Sequence, residues 1–189
     1  MQRGFKAFAE KLAIQVRTEM GIPAHGRLCA FRLTEFLGVQ TLGFSTLAES
    51  ARSVGVTEKQ LSALESEVHG MCIPLIGTGR AILYNDKNHP TRQQSDVAHE
   101  TSHILLRHPL ADIVSGAVSQ RSKELEEEAA HLGGTLLLPM PAALRVLRQG
   151  MSVDAAAAEY GISSEMVIYR CNVSGARHIY TRGGHVRRH

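Results

Sequence analysis

The chain has 189 residues, 43% hydrophobic and 21% charged, with a formal net charge of +3. That is the composition of a globular protein with one sizeable core and a small appendage. The charge is too small to argue for nucleic acid, and no run of 18 or more apolar residues suggests a membrane span. Three cysteines, Cys29, Cys72 and Cys171, are far apart, none in a CxxC pair. This fits a reducing cytoplasm better than a disulfide framework, and the amphipathic start MQRGFKAFAEKLAIQV is no secretory signal.

In chain order, Phe5, Phe8, Leu12, Val16 and Met20 recur at three- and four-residue steps, predicting a helix over 5–20 stopped by Gly21. A second helix is expected over 27–37, ending at Gly38, then a short strand in VQTLGF. Thr57 caps a helix over 57–66. VHGMCIPLI and RAILYN flank a GTG turn and predict a β-hairpin. Thr91 with Gln94 reads as a capping box opening a helix to about Arg107, stopped by Pro109. After a connection over 109–121 come helices over 122–137 and in PAALRVLRQG. VDAAAAEYGISSEMVIYR then reads as helix, Gly161 turn, helix, with Ser163 or Ser164 as cap. The tail RGGHVRRH is locally basic through Arg182, Arg187 and Arg188, the pattern of a solvated terminus.

The chemistry lies in VAHETSHILLRHP, residues 97–109. On a helix, residues four apart share a face, so His99 and His103 can offer two imidazole nitrogens to one ion. Zinc takes about four N, O or S ligands, and a catalytic zinc leaves one position open. Glu100 falls beside such an ion, where a general base belongs. The apolar flanks Val97, Ala98, Ile104, Leu105 and Leu106 mark a largely buried helix, where unpaired polar groups are costly. A third histidine at the HExxHxxGxxH spacing is absent, and His108 is placed well off the ligand face. The remaining source is a carboxylate in KELEEEAAHLGGTLLLP. From Glu126 the helix face runs through Ala129, Ala130, Gly133 and Gly134, all small, which lets two helices approach closely. Glu126 is therefore the preferred third ligand, with Glu127 and Glu128 behind it; His131 is expected to face solvent. Tyr84, Tyr160, Tyr169, His131 and His178 are candidates for stabilising an oxyanion, and sequence does not choose among them.

These blocks resemble the ImmA/IrrE-type metallopeptidases. AILYND, Arg92 and VAHETSH resemble that family's strand, arginine and HExxH block; Glu126, Glu128, Ala129 and LLLP at 136–139 resemble its second helix. AEKLAIQVRTEMGIP resembles its leading helix and EYGISSEMVIYRCNVSG its helix-turn-helix-like part. Ser102, Ala130, Gly133 and Gly134 depart from its common pattern. The resemblance implies an α+β fold: a mostly helical gluzincin-like core with a small sheet over 1–139, then a helical segment over 140–189 packed on it. It assigns the Zn2+ ligands to His99, His103 and Glu126 and the general base to Glu100. It further implies a protein substrate, an XRE-type helix-turn-helix repressor cut to release a stress, phage or mobile-element response. The alternatives are a non-proteolytic regulator that titrates a repressor, or a toxin of a two-gene module. Direct nucleic-acid binding is not expected, because the second helix of the turn carries one basic residue, Arg170.

Overall fold

A computed structural model describes residues 1–53, 55–67, 70–75, 79–109 and 123–185. The chain order is α1 (Phe5–Glu19), α2 (Ala30–Phe36), β1 (Gln40–Gly43), α3 (Phe44–Ser53), α4 (Glu58–Glu67), β2 (Gly70–Pro74) and β3 (Arg80–Tyr84). Then follow α5 (Pro90–Leu105), α6 (Lys123–Leu137), α7 (Met140–Gln149), α8 (Val153–Tyr160), α9 (Ser164–Val173) and α10 (Ala176–His185). This is the expected mostly helical α+β architecture with a small sheet. Among the described residues, no single helix is long and apolar enough to cross a membrane.

The described strands form a sheet in the order β1-β3-β2, with β1 parallel and β2 antiparallel to β3. The central strand has Ala81, Ile82 and Leu83 buried in succession, as a strand covered on both faces requires. Leu83 joins Phe44, Ala48 and Leu61 of α3 and α4. Ile82 faces Val97 and Ala98 of α5. The expected hairpin is β2–β3, paired from Gly70↔Tyr84 to Pro74↔Arg80. The tip, residues 76–78, lies outside the described residues, as does most of the expected connection over 109–121.

Two helices went unexpected. The start of α3 is capped from a distance: Ser45 N and Oγ both donate to Asp86 Oδ1, at 3.1 and 3.0 Å. A cap 41 residues away leaves no local signal. The other is α10, which runs from Ala176 into the basic tail as far as His185.

The Thr91–Gln94 capping box does not form. His89 is the N-cap of α5, its ring accepting from Thr91 N, and Pro90 fills the first turn. Gln94 instead caps α2, its Oε1 accepting from Ala30 N at 2.7 Å. The expected cap at Thr57 does form, its Oγ1 accepting from Gln60 N at 3.5 Å, and Gln60 Oε1 takes Thr57 N in return at 3.0 Å.

The small residues of α6 divide between two partners. A Cβ on Gly133 would lie 3.2 Å from His99 N and 3.3 Å from the Ala98 carbonyl carbon, so this glycine sets the approach of α6 to α5. Gly134 turns the other way, toward Arg170 Cδ and Met166 Sδ of α9. Ala130 is exposed.

The principal apolar cluster crosses residue 139 without a break. It joins Val97, Ala98 and Leu137 to Ala142, Val146 and Tyr160, among others. A polar clamp reinforces the join. Glu10 Oε2 accepts from Met140 N at 2.8 Å while Glu10 Oε1 pairs with Arg170 at 2.6 Å. Arg170 Nε also donates to Leu138 O at 3.0 Å. Arg17, buried in α1, donates to Leu136 O at 2.7 Å. Its burial holds the guanidinium pKa down to about 10, which still leaves it charged.

Candidate metal centre

His99 and His103 stand one turn apart on α5, and α6 brings a carboxylate to both. His99 Nε2 and His103 Nε2 are 3.1 Å apart. Glu126 Oε2 is 3.1 Å from His99 Nε2, and Glu126 Oε1 is 3.5 Å from His103 Nε2. A tetrahedron with ligand bonds of ~2.0–2.1 Å has edges of about 3.3–3.4 Å. Two imidazole nitrogens and a carboxylate oxygen at these separations therefore fit one small divalent ion, with a corner left over. The donor set is of the kind zinc takes.

His103 is nearly inaccessible, at 3% side-chain exposure, whereas His99 at 29% and Glu126 at 42% open to solvent. The cluster thus has a buried wall and an open side. Glu100, buried, lies on the wall: its Oε1 is 4.0 Å from His99 Nε2. Its Oε2 accepts the amide of Cys72 at 3.1 Å. Cys72 is on β2, the sheet's edge strand, so this amide points away from β3 toward α5. Gly70 permits the contact, since a Cβ there would sit 3.3 Å from Glu100 Cγ. Among the described residues, His99, Glu100 and His103 form a group whose ligand atoms all lie within 4.8 Å of one another.

The other acids of α6 go elsewhere. Glu124 and Glu127 are about half exposed and face the Met1 amine. Glu128 is buried beside His108, with Oε2 3.9 Å from His108 Nε2. Asp96 pairs with Arg92, at 2.9 Å.

His108 is off the ligand face, as the spacing has it, yet it reaches His103 from behind. Its Nδ1 lies 2.8 Å from His103 Nδ1, and both rings are buried. The cause is the end of α5. Arg107 takes the left-handed conformation, φ 55, and His108 N donates back to His103 O at 2.9 Å. This is a Schellman-type reversal, normally built on glycine. With an arginine in that position, the sequence does not announce it.

His131 is not solvent-facing but 3% exposed, edge-on to Phe5 at 6.1 Å. Burial first, then the positive charges of Arg170 and Lys6, hold its pKa down to about 4. Of the other oxyanion candidates, Tyr160 donates to His25 O at 3.0 Å, Tyr84 packs on Phe31, and Tyr169 and His178 are exposed. Arg170, the basic residue of α9, is buried, leaving Glu165, Ile168, Tyr169 and Asn172 on that helix's outer face.

A comparison with curated proteins returns no match. The family model of the IrrE N-terminal-like domain, a peptidase family, matches residues 46–172, about two thirds of the chain. The match takes in the HExxH helix, Glu126 and the α8–α9 turn, so the chain belongs to the ImmA/IrrE family of metallopeptidases.

Proposed function

We propose that this chain is a cytoplasmic zinc endopeptidase in which His99, His103 and Glu126 hold Zn2+ and Glu100 is the general base. The observation that carries the reading is the meeting of two Nε2 atoms and the Glu126 carboxylate at 3.1–3.5 Å. When bound, zinc supplies Lewis acidity that polarises a carbonyl and makes water more acidic. The protein's own residues handle the proton. Glu100 is fixed at one oxygen by the Cys72 amide, which leaves the other on the histidine side of the wall. It takes a proton from the attacking water and returns it to the leaving amine. The solvent-facing side of His99 and Glu126 is the approach for an extended substrate. Three cysteines spaced far apart, none in a CxxC pair, support a reducing compartment.

For the substrate we infer a helix-turn-helix repressor of the XRE type, on the strength of family membership. The exposed Ile168 and Tyr169 of α9 and Ile179 and Tyr180 of α10 offer apolar surface for docking it.

The test uses zinc-loaded protein and purified repressors of this type from the same genome, with cleavage followed by mass spectrometry. Glu100→Gln is expected to keep one zinc and lose about 10²–10⁴-fold in cleavage rate. Glu126→Ala is expected to lose the zinc. Cleavage that persists in Glu100→Gln sinks the base assignment. Zinc retained by Glu126→Ala sinks the third ligand.

A further inference from the structure

His103 offers one ring nitrogen to Glu126 and His99, and the other, Nδ1, meets Nδ1 of His108 at 2.8 Å. Two imidazole nitrogens at that distance share one hydrogen: one carries it and the other accepts. The direction matters. If His108 donates, His103 must carry its own hydrogen on Nε2, aimed at the metal cluster. If His103 donates, its Nε2 is bare, which is what a ligand needs.

A cation held by Glu126 and His103 Nε2, which stand 3.5 Å apart, would take that nitrogen's lone pair and so requires the second arrangement, and the far side of His108 suits it. His108 Nε2 faces Glu128 Oε2 at 3.9 Å, and both side chains are buried. A carboxylate there favours the hydrogen on His108 Nε2, leaving His108 Nδ1 as the acceptor. Glu128 is itself held, its Oε1 accepting Gln2 N at 3.2 Å. The Arg107 turn fixes the His108 backbone beside His103 by bonding its amide to His103 O, and the ring itself is buried. The two rings sit 5.0 Å apart at 64°.

We propose that His108 is a positioning residue for His103: it accepts the Nδ1 hydrogen, fixes the ring's tautomer and tilt, and so keeps Nε2 bare toward Glu126, with Glu128 orienting His108 in turn. The proposal rests on the metal-site reading above, since it gives His103 the role of ligand. It makes the end of α5, not only its HExxH face, part of the centre.

The first measurement is the tautomer of His108 in zinc-loaded wild-type protein, by two-bond proton–nitrogen correlation at about pH 8.5, two units above an ordinary imidazole. Hydrogen on His108 Nε2 is the expected result, and hydrogen on His108 Nδ1 overturns the proposal. The second is zinc affinity by competition with a chromophoric chelator. His108→Leu is expected to bind zinc about 10–100-fold more weakly. His108→Gln, whose amide oxygen can still accept, is expected to recover most of the loss. Leu and Gln variants that bind equally, at wild-type strength, overturn it. Should His108→Leu fail to fold, the wild-type tautomer still decides. Failure of the underlying metal reading shows separately, as no zinc uptake by the wild type.

Discussion

A single imidazole, His131, carries a pH dependence that owes nothing to the metal. Its pKa is held down to about 4 in the fold, against 6.5 for an ordinary histidine. Between those values the unfolded chain binds more protons, so stability falls as pH drops through 6.5 toward 4 and is fully retained above 6.5. The loss is on the order of 3 kcal/mol at the acid end. His131→Phe keeps a ring against Phe5 and removes the titration. Its urea midpoint should therefore fall less than the wild type's between neutral pH and the acid end. Parallel profiles for the two proteins would count against the assignment. At this scale the sequence was legible wherever local periodicity ruled: the i, i+4 histidines and the glutamate between them needed only helix geometry. His108 and His131 were not legible, for a common reason. Their surroundings are made by a backbone reversal at an arginine and by a helix more than a hundred residues away, and neither leaves a mark near the residue itself.

Among elements, the α5–α6 pair fixes the centre, and Gly133 fixes the pair. Adding a methyl there gains about 1 kcal/mol of helix propensity but overpacks a backbone that cannot retreat, at a cost of roughly 1–3 kcal/mol. Gly133→Ala is thus expected to be net destabilising and to weaken zinc binding, because it pushes Glu126 off His99. Gly134→Ala gains the same propensity and meets side chains, Arg170 Cδ and Met166 Sδ, rather than backbone. It should cost less and leave zinc affinity near wild type. Chemical denaturation and chelator competition on both variants check this, and the reverse order would refute the division of the stripe. The stripe itself was visible in the sequence. Its partition was not, since Gly133 and Gly134 look alike until two different helices stand on either side of them. Helix α3 illustrates the same limit, its cap being Asp86 from beyond the hairpin.

The molecule as a whole is tied together by Glu10. It accepts the first amide of α7 and neutralises Arg170, whose side chain is fully buried. Burial alone pushes the Arg170 pKa down, and the Glu10 carboxylate opposes that shift. Glu10→Gln keeps the acceptor geometry and removes the charge, so the guanidinium is left uncompensated. We expect a loss of about 3 kcal/mol, at the lower end of the range for broken buried pairs because Glu10 is partly exposed. Because the main apolar cluster spans residue 139, the 1–139 core and the 140–189 segment should also melt together, in one calorimetric transition. Two resolved transitions would separate them. The fold class and the order of the later helices were readable from capping and glycine stops, as at Gly150 and Gly161. The clamp was not, because it joins two charges 160 residues apart.

That shared cluster also imposes an order on biosynthesis. The helix bearing both histidines emerges from the ribosome well before residues 142–176, which supply much of the apolar cover for Val97 and Ala98. While translation is under way, the two histidines therefore ride on a helix whose inner face is only half covered. On the zinc-peptidase reading proposed above, hydrolytic competence is therefore expected to wait on the packing of the last helices.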